Sequence, residues 1–288
     1  MTLEEFNSLG KEMAAPKLFN CCGSDQWVKR VMMDYPFMSL SDLINKATTA
    51  WYEDGKQEDW LAAFTHHPKI GDVKSIALKF ADTQKEATAE QAGIKDADEE
   101  ILEKFRAANK AYEESNGFIF IVCATGKTAH EMYRLLQDRL KNCKEEEILI
   151  ATGEQHKITL LRLQKLLVEE DWISLKKSQL TTHVLDTSIG KPAQQLTVRL
   201  QQYFNNQWQT FAQGTTDKDG RIADLLPPNR LLPPAAYKLV FNTAPYFESH
   251  GSKGFYPSVE VQFEISSDTH YHVPLLLNPF GYSTYRGS

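Results

Sequence analysis

The stretch Arg162–Asp186, RLQKLLVEEDWISLKKSQLTTHVLD, is where the chain changes character. Upstream of it, apolar residues recur at helical spacing; downstream they alternate with the period of two that marks a strand. Prolines follow the same division: of 12, three precede Trp172 (Pro16, Pro36, Pro68) and nine follow it. Proline removes a backbone donor and breaks helices, so it collects at turns and sheet edges. Charge divides there too. Residues 1–172 carry 22 Lys and Arg against 30 Asp and Glu, while 173–288 carry 10 against 8, within a net charge of −6. The expected fold class is multidomain: an all-α helical bundle over 1–170, a polar linker over 171–180 and an all-β sandwich over 181–288.

A length of 288 residues accommodates two cores of ordinary size, and 42% hydrophobic with 11% aromatic residues indicates globular structure. The acidic balance argues against a nucleic-acid or anionic-membrane partner. Cys21, Cys22, Cys123 and Cys143 all lie in the helical half without a CxxC pair, which reads as a reduced chain using buried cysteine as a small apolar residue. No signal peptide, membrane-length apolar run or terminal Ser-Lys-Leu is visible. The expectation is a cytoplasmic protein, with a peroxisomal location left open for a eukaryotic host.

In the first half, Thr2 with Glu5 and Thr128 with Glu131 are capping boxes. Ser24-Asp25 and Ser41-Asp42 are further helix starts. A helix over about Glu58–Thr65 is stopped by His66-His67-Pro68, because the residue before proline is pushed out of the helical region. A longer helix starts at Asp96 or Asp98 and ends at Asn116-Gly117. The run Phe118–Ala124 reads as fully buried, either strand or helix. The last helix is expected over about Glu145–Val168. Three polar features stand out: His66-His67 at a helix end, Glu90-Gln91 before Gly93, and Arg162 among apolar neighbours. Each also has an ordinary reading, as a helix-terminal His, a polar face and a snorkelling Arg.

The segments His67-Pro-Lys-Ile-Gly71, Glu90-Gln-Ala-Gly93, Phe120-Ile-Val-Cys-Ala-Thr-Gly-Lys127 and Glu154-Gln155…Lys157-Ile158…Arg162-Leu163 resemble, in order, the 2-oxo-4-hydroxy-4-carboxy-5-ureidoimidazoline (OHCU) decarboxylase family. The resemblance covers residues 1–168 and implies a helical enzyme of urate degradation that uses no cofactor and yields (S)-allantoin. It implies His67 and Glu90 as catalytic, and Pro68, Gln91, the Ile121-Val122 backbone and Arg162 as substrate contacts. One departure is Ala87 where the family usually has Ser, with Thr88 adjacent. The chemistry suits these residue types. Loss of carbon dioxide leaves a carbanion that a polar pocket stabilises, Arg162 offers a planar fork to carboxylate or ureido oxygens, and a His near its working pKa delivers a proton to one face.

In the second half, Thr182–Asp186, Leu196–Leu200, Trp208–Ala212, Tyr237–Phe241 and Val259–Ile265 read as strands, with Gly190-Lys191-Pro192, Asn205-Asn206 and Asp219-Gly220 as turns. A period of two places His270 and His272 on one strand face. Read from the residues, this pair is either a metal site completed by His183 or two solvated edge histidines. The segments His183-Val-Leu-Asp, Thr216-Asp-x-Asp-Gly-Arg221, His270-Tyr-His272-x-Pro-Leu-Leu-Leu and Tyr285-Arg-Gly-Ser288 are similar to the 5-hydroxyisourate (HIU) hydrolase family, which has a transthyretin-like sandwich fold. That resemblance implies no metal. It implies His183, Arg221, His272 and Ser288 as catalytic, Tyr285 and Arg286 as substrate contacts, and a homotetramer with sites at subunit contacts. Asn278 and Ala236 depart from the common Ser and Gly.

Together the resemblances point to a bifunctional allantoin synthase converting HIU through OHCU to (S)-allantoin. Its partners would be small-molecule substrates and copies of itself, a tetrameric hydrolase core with a dimeric decarboxylase. The competing reading is a transthyretin-like small-molecule carrier fused to a helical adaptor.

Overall fold

The computed structural model describes residues 1–67, 95–125, 127–168, 172 and 178–287; of 95–100, 102 and 129 only the backbone is described. The chain forms two compact units, Met1–Glu169 and Glu170–Ser288. The expected linker over 171–180 lies mostly outside the described residues.

The first unit is helical. Its elements are α1 (Leu3–Ser8), α2 (Lys11–Cys22), α3 (Asp25–Val31) with a 3-10 turn at Met32–Asp34, α4 (Leu40–Tyr52), α5 (Gln57–Thr65), α6 (Lys95–Asn116), α7 (Ala129–Arg139) and α8 (Lys144–Leu166). Both capping boxes form: the Glu5 N–H donates to Thr2 Oγ1 at 3.1 Å and the Thr2 N–H to Glu5 at 2.9 Å, and Thr128 with Glu131 repeats the arrangement. Ser24 caps α3 as expected. The start of α4 differs. Ser39, not Ser41, accepts from the Asp42 N–H at 3.1 Å, and Ser41 lies inside the helix. The sequence reading also passed over α2, whose interior holds Pro16; burial of Ala14, Leu18, Cys21 and Cys22 offsets that lost donor.

Helix α8 is the centre of this unit. From Ile150 to His156 every residue is buried, polar ones included, so it is a helix surrounded by protein and not an amphipathic surface helix. Around it pack Phe64, Phe105, Tyr112, Phe118, Phe120 and Leu136. Trp27 and Trp51 are buried and hydrogen-bonded to the Ala47 and Thr152 carbonyls at 2.9 and 3.0 Å. A fully packed Trp carries on the order of 3–5 kcal/mol of stability.

In the 118–124 run Phe118, Phe120, Ile121 and Cys123 are buried while Ile119, Val122 and Ala124 are half-buried, and the run is neither strand nor helix. With no ladder to satisfy it, its backbone is held by ionised side chains. Arg139 Nη1 donates to the Ile121 carbonyl at 2.8 Å, and Glu154 Oε2 accepts from the Cys123 N–H at 2.7 Å. Arg139 is paired with Glu147 at 2.8 Å, and Glu147 accepts from Tyr112 and Asn142. Removing one partner of such a buried pair costs about 3–5 kcal/mol, whereas an apolar replacement of both is often neutral. What this pair alone supplies is therefore the position of the Ile121 carbonyl.

The second unit is a β fold of two sheets. One has the order β2-β1-β8-β9, with β5 also on β1; the other is β4-β3-β6-β7. The strands are β1 (Leu180–Asp186), β2 (Lys191–Pro192), β3 (Thr197–Phe204), β4 (Gln207–Thr215), β5 (Arg221–Ile222), β6 (Ala235–Phe241), β7 (Val259–Ile265), β8 (Tyr271–Asn278) and β9 (Gly281–Thr284); a short α9 (Thr243–Ser249) precedes β7. Asn205 and Asn206, at φ 48° and 62°, form the expected β3–β4 hairpin turn. Lys191-Pro192, expected in a turn, instead pairs with β1. In β1 strict alternation buries Leu180, Thr182, Val184 and Asp186. Thr181 and His183 are thereby left on the opposite face.

Candidate active sites

In the β unit the site is made by register. β1 and β8 run parallel with Thr181 opposite His272, and β5 pairs antiparallel to β1 with Arg221 opposite His183. Opposed residues share a sheet face. Three segments far apart in sequence therefore place Thr181, His183, Arg221 and His272 on the outer face of one sheet.

Local chemistry sharpens this. Asp217 Oδ1 accepts from the Asp219 and Arg221 N–H groups, both at 2.9 Å, and folds the Thr216–Gly220 turn that delivers Arg221 to β1. Gly220 (φ 70°) has its Cα against β1, where a Cβ would lie 2.4 Å from the Val184 carbonyl oxygen. Thr216 Oγ1 anchors the turn by donating to the Ala193 carbonyl at 2.6 Å.

Burial, then the Arg221 guanidinium, pushes the imidazoles of His183 and His272 below their usual value; His270 and His183 add to the effect on His272. Both rings are thus held neutral, the form that accepts a proton. Thr181 Oγ1 lies 2.9 Å from His272 Nδ1 and 3.1 Å from His270 Nε2. The terminal segment returns to this face. The Gly287 N–H donates to the His272 carbonyl at 2.9 Å, and a Cβ on Gly287 would meet His272 Cδ2 at 2.4 Å. Only glycine lets the chain cross that ring. Arg286 lies 5.3 Å from the Tyr271 ring centre, and Tyr285 is exposed. Ser288 lies outside the described residues.

In the helical unit, α8 gathers the candidate groups by side chain. Gln155, Thr159 and Arg162 share one face at i, i+4 and i+7. Gln155 is fully buried; its Nε2 donates to the Cys22 carbonyl at 3.2 Å and Thr159 at 3.3 Å, which aims Oε1 at His67 Nε2, 2.5 Å away. An amide oxygen only accepts, so His67 carries its proton on Nε2. His67 follows directly on α5, whose C-cap His66 packs edge-on against Phe19 at 4.8 Å. Arg162 reaches the end of α2, donating to the Cys21 carbonyl at 3.3 Å. Glu154, one residue before Gln155, accepts from the Cys123 N–H from the same helix. Burial alone would raise the Glu154 carboxyl, but Lys157, at 2.7 Å, and Lys127 bring it below the usual value.

Of the expected residues, His183, Arg221 and His272 share one face with the terminal segment beside them. Arg162 lies on α8, His67 meets Gln155 of that helix, and the Ile121 carbonyl is held by Arg139 of α7. Pro68, Glu90, Gln91, Ala87 and Thr88 lie outside the described residues. Two contacts were not anticipated, although both had a signal. Gln155 has helical spacing to Arg162, and Thr181 has strand parity with His183. The cysteines behave largely as expected: Cys21, Cys22 and Cys123 are buried, with burial pushing the first two thiols up to about 11 and about 12, while Cys143 is exposed. Among the described residues no cluster of three or more metal-ligating side chains occurs, and no helix is long and apolar enough to cross a membrane.

The OHCU decarboxylase family profile matches residues 7–164, and that of the HIUase/Transthyretin family residues 180–287. The uric acid degradation bifunctional protein TTL of Arabidopsis thaliana is 32% identical, over 93% of this chain and 96% of that protein. Over the β unit, the 5-hydroxyisourate hydrolases of Salmonella typhimurium and Mus musculus are 47% and 46% identical; the alignments cover 38% and 40% of this chain, and 80% and 100% of theirs. The chain therefore belongs to the family of bifunctional uric acid degradation proteins, an enzyme with an OHCU decarboxylase domain and an HIUase/transthyretin domain.

Proposed function

We propose that the β unit hydrolyses 5-hydroxyisourate to OHCU on the His183–Arg221–His272 face, and that the helical unit decarboxylates OHCU to (S)-allantoin around His67. The observation that carries the first assignment is the pair of neutral imidazoles held beside a guanidinium. One ring takes a proton from water, the other orients that water, and Arg221 with Arg286 stabilises the oxyanion that develops as the cyclic amide opens. Tyr285 contacts the substrate and Ser288 takes part in the catalysis.

In the helical unit His67 exchanges a proton with substrate, with Glu90 as its acidic partner. Arg162, Gln91, Pro68 and the Ile121-Val122 backbone hold the substrate so that protonation occurs from one side. Gln155 supports that role by fixing the imidazole tautomer. Neither step calls for a cofactor, because the charge that develops is met by side chains. Each unit acts in an oligomer, a tetramer for the hydrolase and a dimer for the decarboxylase. Support for β-unit assembly is the edge of β9, unpaired among the described residues, with exposed Phe280, Tyr282 and Tyr285 on and beside it. The enzyme works in the cytoplasm, or in the peroxisome of a eukaryotic host.

The test is to supply freshly made HIU to the whole protein, following its loss by absorbance and the product by circular dichroism. Rapid HIU loss with optically active allantoin is expected. Uncatalysed HIU decay would remove the hydrolase assignment, and racemic product the decarboxylase assignment.

A further inference from the structure

The hydrogen bonds behind His272 run in one direction. The Ser178 carbonyl can only accept, so His270 Nδ1, 3.1 Å from it, carries a proton. Neutral His270 then presents a bare Nε2, which accepts from the Thr181 hydroxyl at 3.1 Å. That hydroxyl has a single hydrogen, now committed, so toward His272 Nδ1 at 2.9 Å it accepts. His272 is thereby held with its proton on Nδ1 and its lone pair on Nε2. Because Thr181 and His272 are register partners on β1 and β8, the sheet itself sets this contact.

The two histidines differ in surroundings. His272 is partly buried and faces Arg221 on β5, His183 on β1 and His270 on the turn before β8, with Arg286 in the terminal segment alongside. His270 is exposed and lines, with Asp268 and Thr269, a cleft of about 820 Å³. Positive charge is opposed at the His272 ring by burial and by Arg221.

We propose that Thr181 and His270 form a charge relay behind His272, fixing its tautomer and taking up its positive charge during turnover. As Nε2 of His272 gains a proton from water, its Nδ1 proton moves to Thr181 Oγ1 and the Thr181 hydrogen moves to His270 Nε2. The charge then rests on His270, beside Asp268. When the ring C–N bond of the substrate breaks and its nitrogen takes the Nε2 proton, the same shift runs backwards. Protons and charge balance without any further reactant. Thr181 and His270 are positioning residues in this scheme, since neither touches substrate, and the inference rests on the hydrolase reading above.

The experiment uses the full-length protein with four substitutions, and decarboxylation of supplied OHCU serves as the internal control. Thr181→Val keeps the shape and removes the hydroxyl. It should lower kcat for HIU hydrolysis about tenfold or more with KM within about twofold. Its acid limb should move to lower pH, because the imidazolium loses its Nδ1 acceptor. Thr181→Ser should restore both. His270→Gln still hydrogen-bonds Thr181 but cannot take charge, and should lower kcat while nitrogen NMR still shows His272 protonated on Nδ1. Wild-type kcat and pH profile in Thr181→Val, or wild-type kcat in His270→Gln, would overturn the relay; the His270 and Ser variants decide alone if the Val variant does not fold. His272→Ala separates the two levels. If it hydrolyses HIU normally the hydrolase reading fails, whereas if it is dead and the relay variants are normal only the relay fails.

Discussion

The two units build their sites by opposite means. In the β unit, strand pairing sets the positions of Thr181, His183, Arg221 and His272, and side chains there need only be of the right type at the right parity. In the helical unit the 118–124 run has no regular structure, and buried charged side chains of α7 and α8 hold it while a buried amide of α8 holds His67. Arg139 fixes the Ile121 carbonyl, Glu154 the Cys123 N–H and Gln155 the His67 ring. A sheet site is thus tolerant in its scaffold and sensitive in its face. A site pinned by buried polar groups is sensitive in its scaffold as well, because each lost partner leaves a buried group unsatisfied.

The comparison can be broken in order of effect. Arg221→Ala or His272→Ala should slow HIU hydrolysis about a thousandfold, within the range typical of a general base or oxyanion donor. Supplied OHCU should still be decarboxylated at the wild-type rate, as stopped-flow absorbance will show; a fall in both activities would mean the sites are not independent. His67→Asn should reduce enzymic decarboxylation about a hundredfold with HIU loss unchanged. OHCU also decays unaided, so allantoin would still accumulate, but without circular dichroism. Optically pure product at the normal rate would remove His67 from the mechanism.

Gly287→Ala tests the terminal crossing of the His272 ring. The 2.4 Å approach must be relieved by moving the ring or the chain, so hydrolysis should fall about tenfold while the melting temperature stays the same. The smallest expected effect is in pH. His183 and His272 have lowered pKa values, so hydrolysis should persist as pH falls through about 6.5, where an ordinary imidazole is half protonated. The sign for stability follows. The unfolded rings bind protons first, so the β unit loses stability as pH drops from about 6.5 toward the lowered folded values, and regains none below them. A kcat/KM profile already half lost above pH 6.5 would contradict neutral histidines held by burial and Arg221.

Much of this was legible without coordinates, and particular residues show why. Thr2, Thr128, Asn205-Asn206 and Asp219-Gly220 make contacts within a few residues of themselves, so local spacing was enough to read them. The strand over Thr182–Asp186 was legible for the same reason. Where the reading slipped, a competing local signal or a distant partner decided the outcome. Ser39 and Ser41 are both plausible caps two residues apart, and Pro16 masked α2. The Phe118–Ala124 run looked regular because it is apolar, yet its backbone is satisfied by Arg139 and Glu154, side chains whose reach no periodicity encodes.

By itself the sequence determined the helical and β characters of its two halves and the motifs that mark two families, since all of these depend on local dihedral preference, capping and residue type. Only the tertiary structure decided that β8 lies parallel to β1 with Thr181 opposite His272, that Gly287 crosses that ring, and that Gln155 faces His67. Periodicity tells which way a side chain points from its own strand or helix. Which strand lies beside it, and in what register, is set by packing between segments some ninety residues apart, as the separation of Thr181 from His272 illustrates.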